Sequence, residues 1–116
     1  MSGAYQTDTT YDIVTPKSLG KIKQELLQMR RSPQGRKADE LISIAHKLGM
    51  VRDNRGKEPT YIREMDPHLS PPLSIPAHGA KDMKTGTARN IIDTLLDYVS
   101  EWEIHLDEAN DDNDIE

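Results

Sequence analysis

At 116 residues the chain has room for one modest domain with tails and is too short for two ordinary ones. Hydrophobic residues make up 34%, Phe is absent and the mean hydropathy is −0.75, so part of the chain is expected outside any core; the absence of Cys excludes disulfides and thiolate metal sites. No apolar run is long enough to span a bilayer and the first thirty residues hold no signal-peptide core, which sets the expectation of a soluble, cytoplasmic protein.

The net charge of −5 hides a segregation along the chain. All fifteen Lys and Arg residues lie between Lys17 and Arg89, a window with eight acids and hence a net +7, while ten acids and no Lys or Arg follow Arg89. A basic middle with acidic ends is the electrostatic profile of a polyanion binder with a self-shielding tail.

In chain order, residues 1–15 are polar and aperiodic and are expected to be disordered. Pro16 and Ser18 open an amphipathic helix over residues 16–32, with Leu19, Ile22, Leu26 and Met29 spaced by three or four, which stops before Ser32-Pro33-Gln34-Gly35. A second helix runs from Lys37 to Leu48 on Ala38, Leu41, Ile42, Ala45 and Leu48, with Gly49 at its C′ position. Met50–Asp53 and Thr60–Arg63 predict two short strands joined across Asn54-Arg55-Gly56-Lys57. Asp66 to Pro72 predicts a loop, and Leu73-Ser74-Ile75 a third strand. The last helix is expected from about Thr87 to Trp102 or Glu103, with Ile91, Leu95, Tyr98, Val99 and Trp102 facing the sheet, and residues 104–116 are expected to form a disordered acidic tail.

Between Leu73 and Ile92 a strand, a turn rich in Gly and cations, and a helix start follow one another. The first N–H groups of a helix lack intrahelical partners and sit at the positive end of its dipole, so such a corner accepts anions. Thr85 or Thr87 would cap the helix, Gly86 would let a phosphate approach, and Lys81, Lys84 and Arg89 surround it. The acidic tail could fold back over this corner in place of a nucleic acid.

From Lys37 to Val99 the order is helix, three strands, helix. With Leu73-Ser-Ile-Pro-Ala-His78-Gly79 followed by Lys81, Asp82, Gly86, Thr87 and Ile91, this resembles the HicA (YcfA-type) family of small toxins. The resemblance implies an α+β fold for residues 36–103 similar to a double-stranded RNA-binding domain: an α-β-β-β-α core, a three-stranded antiparallel sheet packed by two helices, to which residues 16–32 add an extra N-terminal helix. It further implies RNA as ligand, mRNA cleavage, and a HicB-like antitoxin as partner. RNA contacts would come from Arg52, Arg55, Lys57, Arg63, His78, Lys81, Lys84, Thr87 and Arg89.

One departure changes the expected chemistry. Family members carry a Gly-Ser-X-His type motif entering the second strand, and its histidine serves cleavage; aligned on Gly56, this chain has Lys57 at the Ser position and Pro59 at the His position. Metal-free RNA cleavage needs a group that moves protons near neutral pH, and proline has none. The expectation is therefore an RNA-binding protein with impaired or no ribonuclease activity. Two alternatives stay open: an mRNA interferase using His78 as a displaced acid or base, and a protein-interaction module without RNA, dimerising through the Lys17–Arg31 helix. No cofactor is expected, and no His pair or acidic loop has the spacing of a metal site.

Overall fold

The computed structural model describes residues 14–54, 58–76 and 81–114, and the side chains among them as far as Glu108. The N-terminal segment expected to be disordered therefore lies, up to residue 13, outside the described residues. The elements are α1 (Pro16–Arg31), α2 (Ala38–Lys47), β1 (Val51–Asp53), β2 (Thr60–Arg63), β3 (Leu69–Ser74) and α3 (Thr85–Asp114). The architecture is α+β, and α2 to α3 follow the α-β-β-β-α order.

Helix α1 starts at a capping box: Ser18 N–H donates to Thr15 Oγ1 at 3.1 Å and Thr15 N–H to Ser18 Oγ at 2.9 Å, with Pro16 in the first turn, where its missing N–H costs nothing. Its expected stripe of Leu19, Ile22, Leu26 and Met29 is buried. Helix α2 carries Asp39 and Glu40 in its first turn and His46 and Lys47 in its last, matching the dipole, and ends where Gly49 takes φ +84°.

The sheet is antiparallel with strand order β1-β2-β3; Val51 pairs with Ile62, Tyr61 with Leu73 and Arg63 with Leu69. The third strand is longer than the sequence predicts, beginning at Leu69 and running through Pro71 and Pro72 rather than starting at Leu73. Two consecutive prolines remove one N–H on each side of the strand: on one side β3 is a sheet edge, and on the other the prolines fall at the register shift against β2 between Tyr61 and Arg63.

Helix α3 is the spine. Against it pack α1, α2 and β3. Helix α1 runs antiparallel to it, with Lys23 Nζ 3.2 Å from Glu103 and Arg30 Nε 2.6 Å from Asp93. The apolar face of α1, which the alternative reading assigned to a second copy, thus joins the core shared with Ile92, Leu95 and Val99. Complete burial of a Leu or Ile of this kind contributes about 1.5–3 kcal/mol.

The acidic tail is the main correction. Helix α3 does not end near Glu103 but continues to Asp114. Leu106 packs partly buried against the core and the His105 and Trp102 rings stand perpendicular with centroids 5.7 Å apart, so side-chain contacts carry the helix past the end of the aromatic stripe. Thirty residues at 1.5 Å each span about 45 Å, which sets the acidic end far from the helix start and removes the expected fold-back onto the corner. No helix among the described residues is long and apolar enough to cross a membrane.

Candidate nucleic-acid interface

The corner at the start of α3 is joined to the start of α2. Lys37 and Asp82 form an isolated antiparallel bridge, Met83 N–H donates to the Arg36 carbonyl at 2.8 Å, and Lys37 Nζ donates to Asp82 Oδ1 at 2.7 Å. The hydrogen bond to Asp82 and its charge raise the Lys37 pKa above the ordinary lysine value. Met83, 4% exposed, pins the segment to the core, while Lys81 and Lys84 on either side of it remain exposed.

The helix begins at Thr85, so neither Thr85 nor Thr87 is the expected cap: both lie inside the first turn, and Lys84 stands at the cap with its carbonyl accepting from Ala88 N–H at 2.9 Å. Arg89 is exposed in the next turn. Lys81, Lys84 and Arg89 have no ion-pair partner among the described residues, whereas Lys23, Arg30, Arg36 and Lys37 are each paired.

The sequence of α3 complements its own dipole at neither end. Its first turn contains no acid and its last turn no base, although acids are favourable at a helix N-terminus and bases at a C-terminus by about 0.3–1 kcal/mol each. A bound anion at the N-terminus would relieve the unfavourable end, since unpaired N–H groups, dipole and cations all point the same way.

Of the expected contact residues, the structure gathers Lys81, Lys84, Thr87 and Arg89 at this corner. Arg52 is exposed on edge strand β1, on a separate element. Arg55, Lys57 and His78 lie outside the described residues.

Arg63 is a correction: it is 6% exposed and points inward, not toward a ligand. Its Nε donates to the Pro67 carbonyl at 3.1 Å, Nη1 to Gly49 at 3.2 Å and Nη2 to Asp66 at 2.7 Å. The signal was present in the sequence, because side chains alternate along a strand and Tyr61 faces the core, so Arg63 two residues on must as well. Lys37 and Asp82 were missed as a pair, since nothing local marks a bridge between residues 45 positions apart.

No known protein family matches this chain, and neither does any characterised protein or solved structure. Among the described residues no group of three or more His, Asp or Glu side chains could hold a metal ion. His46, on α2, is exposed, with Nδ1 3.2 Å from the Met50 carbonyl and its ring edge-to-face with Tyr61. His68 is exposed beside the cis Asp66–Pro67 bond.

Proposed function

We propose that this protein is a HicA-like RNA-binding protein of the cytoplasm, a divergent toxin-type module with a double-stranded RNA-binding type core and a HicB-like antitoxin as its partner. The observation that carries the reading is the corner at the start of α3: three exposed cations without acidic partners among the described residues, at a helix end whose first turn holds no acid. In a core of this type such cations track phosphates and read duplex shape more than sequence. Pro59 at the position of the family's imidazole favours binding over cleavage.

The test is binding of a short RNA duplex between 50 and 200 mM salt. Each phosphate neutralised adds about −0.9 to the slope of log K against log salt, by the B-DNA value. Replacing Lys81, Lys84 and Arg89 together by Ala should flatten the slope by about 2–3. Affinity that does not change with salt would sink the reading.

A further inference from the structure

Strand β1 is an open edge. The sheet order is β1-β2-β3, and among the described residues no strand pairs with β1 on the side away from β2. An edge of this kind is a template for a further strand. Its two faces differ. Arg52 pairs with Tyr61, which faces the core, so the exposed Arg52 side chain leaves the sheet on the helix side, while Val51 pairs with Ile62 on the opposite face. Val51 is 46% and Met65 57% exposed, and both line a hollow of about 400 Å³ whose walls include Gly49 and Ile62.

Helix α1 starts beside the start of β1. Ser18 lines the groove of about 710 Å³ between α1 and α2 together with His46 and Lys47, and His46 Nδ1 lies 3.2 Å from the carbonyl of Met50, the residue before β1. Residues 5–13, outside the described residues, lead into α1 and have an extended reach of about 30 Å. They have no helical repeat, but they alternate. Tyr5, Thr7, Thr9, Tyr11 and Ile13 at odd positions are all aromatic or β-branched, whereas Gln6, Asp8, Thr10 and Asp12 at even positions are all polar. Such alternation suits a strand with one apolar and one acidic face.

We propose that residues 5–13 add to the sheet as a fourth strand, antiparallel to β1 on its open side. Direction follows from the tether: the segment is held at its C-terminal end next to the start of β1, so it runs against β1 as it extends along it. Faces follow from parity. Residues opposite one another in an antiparallel pair share a face, so placing the odd residues with Val51 lays Tyr11 toward the hollow beside Met65 and puts Asp8 and Asp12 on the face of Arg52. One register thus satisfies both the apolar and the charged side of the edge. A second copy of β1 does not, because pairing all three of its residues sets Arg52 against Arg52. With the edge filled, Arg52 is a counter-ion within the sheet and takes no part in the corner at the start of α3, on whose function the added strand does not depend.

The experiment is amide hydrogen exchange and NOE spectroscopy on the full, isotope-labelled chain. Amides between Thr7 and Asp12 should exchange about tenfold or more slowly than in a peptide of residues 1–14, with cross-strand Hα contacts from this segment to Val51–Asp53 and ring contacts from Tyr11 to Met65. Tyr11→Ala and Arg52→Glu should each return the segment to peptide-like exchange while the amides around Leu95 keep their protection. In Asp8→Lys/Asp12→Lys/Arg52→Glu protection should come back, since the charge pairing is restored with its signs exchanged. Peptide-like exchange of residues 5–13 in the wild type overturns the proposal, as do contacts to Ser18 and His46 in the groove between α1 and α2 in place of β1. Contacts to β1 that fade on dilution assign the strand to a second copy and overturn it as well.

Discussion

The Arg63 guanidinium lies over the Trp102 ring, its carbon 4.7 Å from the ring centroid, and so joins strand β2 to helix α3 through a cation–π contact inside the core. Three backbone carbonyls converge on the same group, from Gly49, Asp66 and Pro67. Arg63→Ala would leave those carbonyls without this donor, and a loss of about 2–4 kcal/mol is expected in chemical denaturation. Salt-dependent RNA affinity of the folded fraction should be retained, which separates this structural role from a phosphate contact.

Gly49 is matched to that arginine. It holds φ +84°, and a Cβ there would stand 2.5 Å from Arg63 Nη1. Gly49→Ala should cost about 1–2 kcal/mol from the backbone alone, and more from the clash. Because the two residues touch, Gly49→Ala and Arg63→Ala should combine to less than the sum of their separate effects in a double-mutant cycle.

Trp102 contributes a polar tie as well as a ring, with Nε1 donating to the Leu48 carbonyl at 2.9 Å at the end of α2. Trp102→Phe keeps most of the apolar volume and removes the donor. A loss of about 1–3 kcal/mol in thermal or urea unfolding is expected, the cost of a buried carbonyl left unpaired.

Tyr98 is fully buried and its hydroxyl donates to the Pro71 carbonyl. Burial, aided by the Asp97 charge, pushes its pKa from the ordinary 10.0 up to about 12. The folded state therefore holds the proton more tightly than the unfolded chain, so this contribution is complete below pH 10 and declines between about pH 10 and 12. Comparing the melting temperature of the wild type with that of Tyr98→Phe across this window isolates it, and the difference should shrink as pH rises.

At the corner, Asp82 holds Lys37 in an exposed ion pair. Asp82→Asn should free that ammonium for phosphate, strengthening duplex RNA binding and steepening the salt slope by about 0.9. An unchanged slope would place Lys37 outside the interface.

Truncation after Glu108 removes acids that helix α3 carries roughly 40 Å from the corner. With a screening length of about 8 Å at physiological salt, RNA affinity should change by less than about twofold there. A marked increase would restore the fold-back that the continuous helix excludes.

What the chain determines by itself is local and periodic. The stripe Leu19, Ile22, Leu26, Met29, the stop at Gly49 and the alternation around Tyr61 are legible because side-chain spacing and backbone conformation reflect neighbouring residues. The charge segregation is equally plain, and with it the cations Lys81, Lys84 and Arg89. Tertiary contacts decided the rest. They supplied the partners that keep Arg63 buried on the face where alternation puts it, because carbonyls from two loops meet there. They let Pro71 and Pro72 stand in a strand at a sheet edge, and extended α3 past Glu103 through Leu106 and His105. They also opened the groove between α1 and α2, because both helices find their apolar partner in α3 rather than in each other. Such outcomes depend on residues tens of positions apart competing for the same buried space, and no window of sequence contains that competition.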